Sequence, residues 1–192
     1  MNYTYKPAIL LGSFDPPTNG HLHLVSEALK VGVPRVYMIP SFGNPWKTGQ
    51  TSYQERLEMT KRLELCYWGG KLKVSGIEGE LATVLGKHDS IPTYLVLREL
   101  KKRLGEFLII STNETYPEIK KWTNGEEVLR DYEFLIFSTS HLGETIEGSY
   151  IIPDLNISST LVRECIKSGF SCPEYLPGEV YQYIKQNKLY EK

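Results

Sequence analysis

The sequence predicts an α/β fold built on a parallel sheet. Three observations carry that expectation. Short apolar runs at residues 8–11, 36–39, 107–110 and 134–137 have the character of strands buried on both faces. Segments with helical spacing lie between them. Gly12 and Pro40 end the first two runs, as turn residues do. Strand and helix in alternation imply crossover connections and parallel pairing.

The elements follow in order. After the strand at 8–11, Leu22, Val25 and Leu29 recur at helical spacing, and Gly32 stands at the C-cap. The run 36–39 is the second strand. Residues 52–65 read as a helix and 71–75 as a short strand. Leu97, Leu100 and Leu104 share one face of a helix over 94–104. Strands at 107–110 and 134–137 complete the sheet. Two C-terminal helices, at 159–168 and 178–187, close the chain, the second started by Pro177. Sheets of this type bind ligands beyond the carboxyl ends of their strands. The loops after Leu11, Ile39 and Ile110 are therefore the predicted site.

The 192 residues fit one domain over 1–192. The 22 Lys and Arg residues against 23 Asp and Glu give a net charge of -1. That balance excludes a bulk cationic surface for nucleic acid or an anionic membrane, though not a small anion held locally. Three cysteines without a CxxC pair argue against a disulfide framework or zinc site and for a reducing compartment. The apolar run near the N-terminus is too short for a signal-peptide core, and no stretch approaches a membrane span, so the expected location is cytoplasmic.

The strongest local signal is GSFDPPTNGH at residues 12–21, between the first strand and the first helix. Gly12 permits a turn and close ligand approach. Thr18 and His21, three apart at a helix start, can face one anion beside free backbone N–H groups. Each residue alone fits a Pro/Gly-rich turn; the block does not. It lacks both GxGxxG and GxxxxGK[ST]. A second signal is ISSTLVR at 157–163. Ser158, Ser159 and Thr160 are good N-caps. Arg163 in the first helical turn opposes the helix dipole, which a bound phosphate would offset.

The first block resembles the nucleotidyltransferase hallmark G-[ST]-F-D-P-x-[HT]-x-G-H, with Thr18 and His21 at the variable and final positions. The second resembles that superfamily's ISSTxxR motif. Middle features resemble the nicotinate/nicotinamide mononucleotide adenylyltransferases: PSFGNPWK at 40–47, Arg56 with Met59 as R-x-x-M, TYLVLREL at 93–100, the segment 116–122, and the C-terminal stretch 175–190. One departure stands after the third apolar run, where Ser111, Thr112 and Asn113 replace the family's G-x-D.

The resemblance implies a Rossmann-like doubly wound parallel sheet with helices on both faces. It implies transfer of the adenylyl group of ATP to a pyridine mononucleotide, releasing pyrophosphate. His21, Thr18, Lys47 and Arg163 would be catalytic. ATP would meet Gly12, Ser13, Phe14, Thr18, His21, Ile157, Ser158, Ser159, Thr160 and Arg163. The mononucleotide would meet Ser13, Phe14, Lys47, Thr93, Asn113 and Trp122. Mg²⁺ would ride on the ATP phosphates, with no dedicated protein metal site. Arg56 is expected to be structural, and Asp15 a turn residue. A homo-oligomer is compatible with the resemblance; nucleic acid and membrane are not expected partners. TNGH keeps open a pantetheine-phosphate adenylyltransferase, and the superfamily a cytidylyltransferase. The missing G-x-D keeps open a nucleotide-binding protein without catalysis. A synthetase-like fragment is opposed by the neutral charge.

Overall fold

A computed structural model describes residues 5–139 and 144–191. The apolar runs form a six-stranded sheet: β1 (Ala8–Gly12), β2 (Val36–Pro40), β3 (Leu72–Val74), β4 (Leu108–Thr112), β5 (Glu133–Ser138) and β6 (Tyr150–Ile151). Their order is β3-β2-β1-β4-β5-β6, and every neighbouring pair is parallel. Order reverses between β1 and β4, so a crevice opens there at the carboxyl ends.

Alternation along β1 explains the two layers. Ala8 and Leu10 point into one core with Val36, Met38, Leu108 and Ile110; Ile9 points into the other with Ile39 and Ile109. The first core is covered by α1 (Asn19–Lys30), α2 (Tyr53–Lys61), α6 (Ser159–Lys167) and α7 (Gly178–Asn187). The second is covered by α3 (Ile77–Leu85), α4 (Thr93–Leu104) and α5 (Gly125–Asp131). Helices thus pack on both faces, the doubly wound arrangement expected. Among the described residues, no helix is long and apolar enough to cross a membrane.

Among the strands and α-helices of the described residues, three were not expected. α3 has no clean apolar stripe: Ile77 and Ala82 are buried, while Val84 is 81% exposed. α5 is seven residues long and starts after Asn124 at φ 58. β6 is a two-residue edge strand, too short for a period-2 signal. The helix expected over 52–65 is α2 followed by a 3-10 helix at Arg62–Cys66. Thr60 bonds back to the Arg56 carbonyl at 2.7 Å, and buried Leu63 then holds the tighter turn against the core.

Candidate active site

A cavity of about 810 Å³ opens beyond the carboxyl ends of β1 and β4. The loops after β1, β2 and β4 line it, as do the N-terminal turns of α1, α4 and α6. Two helix N-termini, those of α1 and α6, therefore face one space with first-turn amides that have no intrahelical partner.

The first loop is shaped by its own residues. Gly12 leaves room for the Phe14 ring: a Cβ there would lie 2.8 Å from it. Phe14 is buried at φ 49 and meets the His21 ring edge-on, 5.0 Å between centroids. The Thr18 N–H donates to His21 Nδ1 at 3.0 Å, and Thr18 Oγ1 lies 2.9 Å from the same atom. An Nδ1 that accepts a backbone proton carries none of its own, so the neutral ring holds its proton on Nε2. Burial, and then the nearby Lys47 charge, lower the His21 pKa from 6.5 to about 4. At neutral pH His21 is an uncharged N–H donor.

The C-terminal motif docks on this loop. Ser159 Oγ donates to the Pro16 carbonyl at 2.7 Å, and Arg163 to the Asp15 carbonyl at 2.7 Å. Ser158 caps α6 by accepting from the Leu161 N–H at 3.1 Å. Residues 143 to 148 positions apart in the chain thus meet in one wall.

The second loop carries Lys47. Asn44 organises it: its carbonyl accepts from Lys47 N at 3.0 Å, and its side chain from Trp46 N at 2.9 Å. Lys47 Nζ reaches to 3.5 Å from Ser13 Oγ. Partial burial, and next Arg163, hold the Lys47 pKa below its ordinary value, with Asp15 opposing. Two cations crowded without a full anionic partner favour a ligand that brings negative charge.

Behind the wall, Arg56 is 1% exposed and spends its guanidinium on backbone carbonyls. It donates to Ser13 at 2.8 Å, Ser41 at 2.6 Å, Phe42 at 2.9 Å and Thr51 at 3.0 Å. It locks the first and second loops together, a structural role as expected. Glu78 is its acidic neighbour and accepts from Phe42 N at 2.7 Å. Burial pushes its carboxyl up to about 8, against the Phe42 N–H and Arg56.

Of the expected site residues, Gly12, Ser13, Phe14, Thr18, His21, Lys47, Thr93, Trp122, Ile157, Ser158, Ser159, Thr160 and Arg163 line this one cavity. Asn113, expected to meet the mononucleotide, is 4% exposed and is not among the residues that line the cavity. Its Nδ2 donates to the carbonyls of Thr139 at 3.2 Å and Glu144 at 3.3 Å, and its Oδ1 accepts from Thr139 N at 3.3 Å. The two carbonyl acceptors are served by the NH₂ group of Asn, which an ionised Asp lacks. The neighbouring Glu114 lines the cavity instead. Asp15 is more than a turn residue: its carboxylate accepts from Thr51 N and the Tyr190 hydroxyl. The sequence offered no signal for either, because both depend on contacts across the chain.

Comparison with known proteins agrees with this geometry. The cytidylyltransferase-like family matches residues 9–165. A probable nicotinate-nucleotide adenylyltransferase of Bacillus licheniformis is 30% identical, covering 97% of this chain and 98% of its own. The nicotinate-nucleotide adenylyltransferase of Bacillus subtilis is 28% identical over the same shares. Among solved structures, the nicotinic acid mononucleotide adenylyltransferase of Plasmodium falciparum, complexed with NaAD, superposes with a TM-score of 0.78 at 19% identity, covering 97% of each chain. With its two end motifs in one cavity and full-length relatives at this identity, the chain belongs to the cytidylyltransferase-like family, among the nicotinate-nucleotide adenylyltransferases.

Proposed function

We propose that this protein transfers the adenylyl group of ATP to a pyridine mononucleotide, nicotinate mononucleotide first among the acceptors, as in NAD biosynthesis. The observation that carries the reading is the convergence of Thr18, His21, Lys47 and Arg163 on one cavity at the switch in strand order. The names of the full-length relatives support the acceptor.

The acceptor phosphate attacks the α-phosphorus of ATP, and pyrophosphate leaves. No enzyme nucleophile is required, so positioning and charge stabilisation supply the rate. His21 donates from Nε2 to an oxygen of the transferring phosphate. Its neutral state leaves the positive charge to Lys47 and Arg163, which hold the β and γ phosphates. The turns at Thr18 and Ser158 present helix N-termini to the same oxygens. Trp122 offers a flat face to the pyridine ring. Among the described residues, no group of three or more His, Cys, Asp or Glu side chains could hold a metal ion. Mg²⁺ would enter on the nucleotide, where it would neutralise phosphate charge.

The test is pyrophosphate release from ATP and Mg²⁺ with a panel of acceptors: nicotinate mononucleotide, nicotinamide mononucleotide and phosphopantetheine. Turnover with the pyridine mononucleotides supports the reading; turnover with phosphopantetheine alone replaces it. His21→Ala should abolish transfer while the fold persists, and near-normal release by that variant would sink the assignment.

A further inference from the structure

The Asp15 carboxylate lines the phosphate-facing part of the cavity and is 5% exposed. It lies within electrostatic reach of Lys47 and Arg56, favouring the charged form of each. Arg163 donates to the main-chain oxygen of the same residue at 2.7 Å. A buried carboxylate beside three cations would ordinarily pair with one of them. Here its two oxygens are taken by uncharged donors. Tyr190 donates its hydroxyl to Oδ1 at 2.6 Å, and Thr51 its backbone N–H to Oδ2 at 3.3 Å.

Tyr190 arrives from the far end of the chain. α7 ends at Asn187, Lys188 turns at φ 52, and Tyr190 itself sits at φ 68. A non-glycine residue held in that left-handed region needs compensating contacts. The compensation is the Asp15 bond, with Met59 Sδ 3.9 Å from the same hydroxyl. Burial and the adjacent carboxylate push the phenol pKa far above its ordinary value. The hydroxyl is thus a permanent donor.

We propose that Tyr190 is a positioning residue for phosphate binding. By occupying Asp15 with a neutral donor, it keeps that carboxylate from capturing Lys47 or Arg163 and leaves both cations for the phosphates of the nucleotide. This rests on the ATP-binding reading above. Loss of the hydroxyl frees one carboxylate oxygen to swing toward a cation, so phosphate-bearing ligands lose affinity and the bare nucleoside does not.

Calorimetric titration of the full chain with ATP, pyrophosphate and adenosine tests this. Tyr190→Phe should bind ATP and pyrophosphate about tenfold more weakly, with adenosine unchanged. The double variant Tyr190→Phe/Asp15→Asn should recover most of that loss, because the competing charge is gone. Unchanged ATP affinity in Tyr190→Phe, equal weakening of ATP and adenosine, or no recovery in the double variant overturns the role. Should Tyr190→Phe not fold, the Asp15→Asn background decides: equal ATP affinity in Asp15→Asn and in the double variant supports the role, because the hydroxyl then has no carboxylate to occupy, and a further loss in the double variant overturns it. Wild-type protein that binds no ATP overturns the functional reading as well. Wild type that binds ATP beside an unaffected Tyr190→Phe overturns the Tyr190 role alone.

Discussion

Acidification isolates His21 from the rest of the protein. Its pKa falls from 6.5 in the unfolded chain to about 4 in the folded one. Between those values the unfolded chain binds a proton at His21 that the folded chain refuses, so stability falls as the pH drops through this window. The full shift amounts to about 3 kcal/mol; roughly 2 kcal/mol is lost by pH 5. Glu78 works in the opposite sense, because a carboxyl raised to about 8 binds its proton in the folded state first. The total pH curve therefore mixes both groups, and the difference between wild type and His21→Gln removes Glu78. Urea unfolding of the two proteins from pH 7.5 to pH 4 is the assay. The wild-type curve should fall relative to the variant by roughly 3 kcal/mol across the range. Parallel curves would refute a buried neutral imidazole. Kinetics give a second reading, because kcat/KM reports the free enzyme. Once the substrate phosphates, which titrate at about 6, are allowed for, the enzyme's acid limb should lie near 4 rather than near the ordinary histidine value; an enzyme limb at 6.5 that His21→Gln removes would contradict the hydrogen-bonded Nδ1.

Three further outcomes follow from particular contacts. Arg56→Met strands four backbone carbonyls; it should cost about 3 kcal/mol or more in chemical denaturation, and a loss below about 1 kcal/mol would show that the guanidinium is not the latch between loops. Asn113→Asp turns a donor toward two carbonyls into an acceptor; a destabilisation of about 2 kcal/mol is expected, with no gain in mononucleotide affinity, and a gain measured by titration would return this position to the binding surface. At Gly43 a Cβ would sit 1.7 Å from the Asp89 carbonyl oxygen. Gly43→Ala should therefore displace the Lys47 loop, costing about 1–3 kcal/mol and raising KM for ATP; an unchanged melting midpoint would show that the two loops do not meet.

Local chemistry made much of this protein legible. The apolar runs became β1, β2, β4 and β5 because a strand buried on both faces can only be written in apolar residues. The helix of Gly178–Asn187 was readable to the residue, since Pro177 starts it and its buried positions, Val180 and Ile184, are four apart. The turns that open α1 and α6 were legible because cap residues, glycine and cation lie within a few positions of one another. Elements with weak local pattern, α3, α5 and β6, were not, since tertiary packing alone stabilises them.

Sequence by itself determined that two motif segments, 12–21 and 157–163, belong to one kind of site. Only the tertiary structure decided what each polar group is free to do. Asn113 is committed to Thr139 and Glu144, Arg56 to four carbonyls, and Asp15 to Tyr190, 175 positions away. Each commitment arises because a buried polar group must find a partner, and the nearest one in space is unrelated to the nearest one in the chain.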